Sequence, residues 1–262
     1  MPYYTKTDKI DPDEINSPII GLAFDNYPTT PGEHCHRKGQ LLYCSQGVTH
    51  FYCQGRYFLL PPSKAAWIPP NVVHDVYSAS KVSYRSLYIE VEHFLPLPNV
   101  MQILQVEPLL KLMVEKFCFV KPGYLKDSPE FRLGTVIVDF IKQAITLPLS
   151  LPNPIDKRLN KIFQTILLAP GEAKSVNDYA EMVNITARTL NRITQKEIGM
   201  SFEKWRMELR LMHAFVLLER GYSVTQVSQS LGYSNDSSFI ARFKQWAGET
   251  PAQYRRKVQA RL

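Results

Sequence analysis

The second half of the chain repeats itself, and that repeat leaves few folds open. Tyr179-Ala180-Glu181-Met182-Val183-Asn184-Ile185-Thr186 aligns with Val227-Ser228-Gln229-Ser230-Leu231-Gly232-Tyr233-Ser234. After one extra residue, Asn235, the match resumes: Leu190 pairs with Phe239, Gly199 with Gly248, Ser201 with Thr250, Trp205 with Tyr254 and Arg206 with Arg255. Such a repeat marks a duplicated supersecondary unit. Each copy has the logic of a helix-turn-helix. A small residue (Ala180, Ser228) lets a second helix approach, and four residues later Asn184 or Gly232 suits a left-handed turn. Thr186 or Ser234 can then cap a second helix, which keeps Leu190/Ile193 or Phe239/Phe243 for the core and turns polar residues outward.

Around the repeat the chain reads as helix after helix. The candidates are 155–168, 176–183, 187–197, 201–219, 224–231, 236–247 and 251–258, with Asn177, Thr186, Ser201, Thr225, Thr250 or their neighbours as N-caps. Trp205, Phe243 and Tyr254 are expected in the core. Charge singles out the same region. Residues 1–151 carry 14 basic and 14 acidic residues, whereas residues 152–262 carry 17 and 10, so the whole net charge of +7 sits in the helical half. A basic module joined to a neutral one suggests a polyanion-binding domain.

The first half has a different period. Gln40–Cys44, Val48–Cys53, Tyr57–Leu60, Ala65–Ile68, Val72–Tyr77 and Tyr84–Val91 are short aromatic or β-branched runs separated by Gly- and Pro-containing turns. They predict a small antiparallel barrel or sandwich over about residues 20–95. After Pro96 and Pro98, residues 100–119 and 131–147 read as two amphipathic helices that pack on the barrel or pair with a second chain. The proline-dense stretch Leu147–Pro154 is the expected linker. The fold class expected is therefore α+β in two domains. Residues 1–98 form the barrel, 99–150 a helical dimerisation or linker segment, and 151–262 the helical domain.

Several classes drop out. Cys35, Cys44, Cys53 and Cys118 make no disulfide framework and are expected as buried reduced thiols. The polar N-terminus lacks a signal peptide's apolar core, and no apolar run is long enough to span a bilayer, so a cytoplasmic protein without a membrane partner is expected. No nucleotide-binding glycine loop, nucleophile elbow or zinc-finger spacing is present.

Residues 155–258 resemble the DNA-binding domain of the AraC/XylS family of transcription regulators. The resemblance is carried by Gly-Met-Ser-Phe-Glu-Lys-Trp-Arg (199–206), Leu-Gly-Tyr (231–233) and above all Phe-Lys-Gln-Trp-Ala-Gly-Glu-Thr-Pro-Ala-Gln-Tyr-Arg (243–255). It implies that helices 187–197 and 236–247 enter successive major grooves on one face of promoter DNA. Arg188, Asn191 and Arg192 would read bases in the first, since Arg pairs with guanine and Asn with adenine. In the second the corresponding candidates are Asp236, Ser237 and Ala241. Asp236 serves equally as a helix cap, and Ala241 stands where the family often has Arg. Thr194 replaces a usual aromatic. Lys196, Arg242, Lys244 and Arg255 would hold phosphates. RNA polymerase is implied as a partner if the protein activates, and a homodimer would strengthen binding to paired half-sites.

In the first half, Gly32-Glu33-His34-Cys35-His36-Arg37-Lys38-Gly39-Gln40 resembles the first motif of a cupin barrel, and Ile68–His74 the second. A cupin metal site uses two histidines at i and i+2, a carboxylate and a later histidine. His34, His36 and His74 fit, with Gln40 in place of the carboxylate. In regulators of this family the cupin serves as a sensor, so these four residues are expected to line an effector pocket. No cofactor is required, although three imidazoles and an amide can hold a divalent metal. Tyr43, Tyr52, Trp67 and Tyr88 are expected to fill the barrel, and His50 and His93 to lie on the surface. The leading reading is thus an effector-responsive, sequence-specific DNA-binding regulator and not an enzyme. The competing readings are a metal-dependent cupin enzyme (dioxygenase or isomerase) with a helical appendage, and an architectural DNA binder with no effector.

Overall fold

A computed structural model describes residues 10–27, 32–62, 64–78, 82–147 and 150–259. The chain divides into two compact units, residues 1–54 with 58–149, and residues 55–57 with 150–262. No helix among the described residues is long and apolar enough to cross a membrane.

The first unit is built on antiparallel strands β1 (Ile19–Tyr27), β2 (Gly39–Gln46), β3 (Thr49–Cys53), β4 (Arg56–Leu60), β5 (Lys64–Ile68), β6 (His74–Tyr77), β7 (Val82–Ile89), β8 (Gln102–Gln105) and β9 (Thr146–Leu147). Strands β1, β7, β2, β5, β8 and β9 lie side by side in one sheet, and β4, β3 and β6 in another. Helices α1 (Pro108–Phe117) and α2 (Pro129–Gln143) complete the unit.

Strand alternation divides the apolar residues into two cores. Leu41 and Tyr43 of β2, Trp67 of β5, and Leu87 and Ile89 of β7 pack with Leu110, Val114 and Phe117 of α1 and Ile137, Val138 and Ile141 of α2. Their neighbours Leu42, Cys44, Ile68, Tyr84 and Tyr88 turn the other way, against Phe51, Phe58 and Leu60 of the second sheet. Of the four aromatics expected to fill the barrel, Tyr43 and Trp67 therefore belong to the core shared with the helices, and Trp67 Nε1 donates to the Pro98 carbonyl at 2.8 Å. Tyr88 faces the inter-sheet core, while Tyr52 is half-buried and stacks on Tyr77 with centroids 5.8 Å apart.

The expected single helix over 100–119 is corrected. Gln102–Gln105 pairs with β5 and β9 as β8, and α1 starts only at Pro108, whose missing N–H is tolerated in a first turn. The expected helix 131–147 begins earlier, at Pro129 behind the Ser128 cap, and ends at Gln143. In the expected linker, Leu147 closes β9 and Leu151–Pro152 forms β10, while residues 148–149 lie outside the described residues.

The second unit holds α3 (Lys157–Leu168), α4 (Val176–Glu181), α5 (Ala187–Ile198), α6 (Phe202–Glu219), α7 (Val224–Ser230), α8 (Asp236–Ala247) and α9 (Pro251–Gln259). Helix α6 belongs to both halves of its core. Trp205 near its start stacks on Phe163 at 5.8 Å and meets Phe202, while Phe215 near its end meets Phe243 at 5.1 Å and Tyr254 at 4.6 Å. Its arginines fasten the loop between α3 and α4. Arg206 Nη1 donates to the Lys174 carbonyl, and Arg210 donates to those of Pro170 and Glu172 at 2.8 and 3.0 Å.

Candidate nucleic-acid interface and effector pocket

The two repeats fold into two capped helix-turn-helix units. Helices α4 and α7 both open on a serine with a reciprocal capping box, Ser175 with Asp178 and Ser223 with Gln226. Asn177 and Thr225, expected as caps, lie two residues inside these points. Ala180 and Ser228 are buried where the second helix crosses. Asn184 (φ 55°) and Gly232 (φ 73°) make the left-handed turns, after which Ile185 N donates to Ala180 O and Tyr233 N to Ser228 O, both at 3.0 Å.

Thr186 caps α5 by accepting from Thr189 N. The matching cap of α8 is Asn235, whose Oδ1 accepts from Ser238 N at 2.8 Å, and not Ser234 as expected. The residue that interrupts the repeat is thus the one that starts α8. Counting from the caps pairs Arg188 with Ser237, Asn191 with Ile240 and Arg192 with Ala241. Asp236 falls opposite Ala187, in the first turn, where a carboxylate favours the helix dipole. It accepts from Thr225 Oγ1 at 2.5 Å, which ties α8 to α7.

Leu190, Ile193, Thr194 and Ile198 form the buried face of α5, and the opposite face carries Arg188, Asn191, Arg192, Gln195 and Lys196, all exposed. Neither Arg188 nor Arg192 is ion-paired among the described residues. The buried Thr194 replaces an aromatic without a polar penalty because its hydroxyl donates to Leu190 O at 2.8 Å. Asn191 is exposed but engaged: Nδ2 donates to Ala187 O at 3.1 Å and Oδ1 accepts from Phe202 N at 3.4 Å. Gln195, one turn beyond Asn191, shares the face and was not singled out, although its helical spacing places it there. On α8, Ser237, Ala241, Arg242 and Lys244 are exposed; Arg255 of α9 is half-buried.

In the first unit, His34 and His74 are locked together by backbone bonds, His34 N to His74 O at 3.0 Å and His74 N to His34 O at 2.9 Å. His36, two residues on, joins them. Ring centroids lie 4.3 Å apart for His34–His74, 5.1 Å for His36–His74 and 6.2 Å for His34–His36. Gln40 enters from β2, its Oε1 3.0 Å from His36 Nε2 and its amide nitrogen donating toward Ser86 Oγ at 2.8 Å and Tyr84 Oη at 2.9 Å. His36, Gln40 and His74 are buried, whereas His34 is exposed. Burial lowers His74 to about 4. The four residues thus bring three imidazoles and an amide together beside the hydroxyls of Ser86 and Tyr84, a set capable of hydrogen bonding or of holding a metal.

Two expectations for lone residues change. Cys35 is exposed, because alternation turns it away from its two histidine neighbours. Cys44, Cys53 and Cys118 are buried free thiols, pushed by desolvation to about 11, 11 and 12. His93 is exposed, but His50 is half-buried and stacked on Tyr77 at 4.6 Å.

Residues 179–257 match the family described as a helix-turn-helix domain, and residues 21–129 the family described as an AraC-like ligand binding domain. The HTH-type transcriptional regulator NimR of Escherichia coli is 27% identical over 242 residues, covering 92% of this chain and 83% of that protein. The HTH-type transcriptional regulator RipA of Corynebacterium diphtheriae is 34% identical over 107 residues, covering 41% of this chain and 31% of that protein. The crystal structure of ToxT from Vibrio cholerae aligns with 92% of this chain and 98% of its own at 12% identity and a TM-score of 0.40.

Proposed function

This chain belongs to the AraC family of helix-turn-helix transcription regulators, and from that premise we propose that α5 and α8 enter successive major grooves of promoter DNA. The observation that carries the reading is the pair of capped helix-turn-helix units, the first with a cationic face on which Arg188 and Arg192 have no ion pair among the described residues. Arg188 and Arg192 are its base readers, since a guanidinium forks onto the O6 and N7 of guanine. Asn191 reads adenine with the N–H and oxygen lone pair left over from its bonds to Ala187 and Phe202, which also set its pose on α5. Helix α8 offers Asp236, Ser237 and Ala241 and therefore specifies less sequence. Lys196, Arg242, Lys244 and Arg255 contact phosphates and position the protein.

Residues 1–98 take up a small effector at His34, His36, Gln40 and His74. Residues 99–150 serve a homodimer, for which the exposed Leu109, Leu112 and Val136 of α1 and α2 provide apolar surface. Residues 151–262 bind DNA in the cytoplasm, with RNA polymerase as a further partner if the regulator activates. The effector controls occupancy only through different affinities for two states of the protein.

The test is binding to DNA upstream of its own gene and of neighbouring genes, over a range of salt, beside Arg192→Ala. Tight, competitor-resistant binding that falls with salt and is lost in the variant supports the reading. Binding no tighter than to random DNA for every genomic fragment, with and without metabolite extract, overturns it.

A further inference from the structure

The two helix-turn-helix units are joined along two routes. One is α6, whose start packs with Phe163 and whose end packs with Phe243. The other is the loop 169–175 between α3 and α4. Glu172 N donates to Ala169 O at 3.1 Å, which folds the start of this loop into a turn. Inside the turn, Gly171 lies against Gly232, the left-handed residue of the second unit, with no room for a side chain on either. The far end of the loop is Ser175, the N-cap of α4 and so the start of the first unit.

Between those ends the loop is clamped to α6 by two arginines one helical turn apart. Arg210 donates from Nε to Pro170 O at 2.8 Å and from Nη2 to Glu172 O at 3.0 Å, so its fork grips the residues on both sides of Gly171. Arg206 Nη1 donates to Lys174 O, next to the cap, while its Nη2 pairs with Glu203 at 3.1 Å and its guanidinium lies 5.7 Å from the ring centre of Tyr179 in α4. Arg210 is half-buried and has no ion pair among the described residues, so its charge is directed at the loop carbonyls.

A single shared helix fixes how far apart two units stand, but helices bend, and each unit can swing about its own end of the shaft. A second link off the helix axis removes that swing. This link is stiff for chemical reasons. Backbone packed against backbone has no rotamer through which to relax. A planar guanidinium that makes two charge-assisted bonds fixes direction as well as distance.

We propose that the loop 169–175 is a brace between the two helix-turn-helix units, and that Arg210 is a positioning residue that sets the separation and angle at which α5 and α8 are presented. It acts through the loop and not on a base. The brace matters for DNA reading only if α5 and α8 enter two grooves as proposed above, whereas its mechanical role stands without DNA. Removing it should leave each unit folded and widen the range of arrangements that the pair visits.

The experiment measures the distance between nitroxide labels on α5 and α8 by pulsed electron spin resonance, in the full chain without DNA. Gln195→Cys and Gln245→Cys are exposed attachment points, and Cys35→Ser removes the exposed native thiol while the three buried ones stay. One narrow distance distribution is expected. Arg210→Ala should make it about twofold wider or more, because a helical joint without its second link swings. Arg210→Lys keeps the charge but not the fork and should fall between the two, which decides the matter should Arg210→Ala fail to fold by circular dichroism. Arg220→Ala, an exposed arginine just beyond α6, should leave the width unchanged. Equal widths in the parent and the folded Arg210 variants overturn the brace, as does equal broadening in Arg220→Ala.

A second arm uses the tightest-binding upstream duplex and the same duplex with one base pair inserted between its two contacted segments. The insertion should weaken the parent protein by about tenfold or more and Arg210→Ala by about threefold or less, since spacing is read through the geometry of the protein. Broadening with equal insertion penalties upholds the brace and overturns its part in DNA reading. Broadening in a protein that prefers no duplex upholds the brace and overturns the two-groove reading.

Discussion

Gly171 and Gly232 meet backbone to backbone. A Cβ on Gly232 would lie 2.6 Å from the Gly171 carbonyl oxygen, and one on Gly171 would lie 1.9 Å from that of Ser230. The loop after α3 thus seats directly on the turn of the second helix-turn-helix, and Arg210 holds it through the Pro170 and Glu172 carbonyls. Gly171→Ala forces backbone apart and should destabilise the second unit by about 1–3 kcal/mol. Gly232→Ala adds left-handed strain at φ 73° and should cost more. Thermal unfolding of both variants checks this, and a wild-type transition in Gly171→Ala would show that the contact imposes nothing.

Readers and anchors on α5 should fail in different ways. Arg192→Ala or Arg188→Ala should lose about 1–3 kcal/mol of specific binding and relax preference at one base position. Lys196→Ala should weaken all sequences alike and lower the salt slope by about one. Binding measured on an operator and its single-base variants at several salt concentrations separates these outcomes. The same profile for Arg192→Ala as for Lys196→Ala would remove Arg192 from the readers.

The cap of α8 offers a sharper structural test. Asn235→Ala removes the acceptor for Ser238 N and should cost about 0.5–2 kcal/mol. Ser234→Ala, one residue away, should change stability far less. Equal losses in urea unfolding would mean that the helix starts elsewhere.

Acid should weaken the first unit through His50. Burial holds its imidazole at about 4, against an ordinary 6.5. Its stabilising share is complete above pH 6.5, where both states are neutral. As pH falls toward 4, the unfolded chain gains a proton that the folded chain refuses, and stability drops by up to about 1.4 kcal/mol per pH unit. The ring stacks on Tyr77, and so does Tyr52, two residues along on the same face of β3. His50→Gln should flatten part of this slope in urea titrations at pH 7.5 and 5, leaving the share of His74. An unchanged slope would remove His50 as a cause.

Much of this architecture was legible because local chemistry and tertiary role agree. Aromatic runs between Gly and Pro turns became β2 to β7, and the period of Leu190 and Ile193 turned α5 to its core. The i, i+2 spacing of His34 and His36 foretold a shared side, with His74 bonded alongside. What escaped depends on partners remote in sequence. Gln102–Gln105 reads as the start of a helix until β5 and β9 flank it. Asn235 and Ser234 are both good capping types, and only the turn geometry chooses between them. Asn191 is the right residue for a base contact, but its bond from Phe202 N exists only once α6 has docked.

Helix α6 has one more consequence. Its 18 residues run about 27 Å at 1.5 Å each, and its two ends are built into different cores. Inserting a single residue would move everything after it by about 1.5 Å and rotate it by about 100° around the axis. The second reading head would then point away from the surface that the first one faces. On the proposed reading this segment can therefore change its letters over generations but not its length, and the phase between the two halves of an operator would be inherited as a residue count.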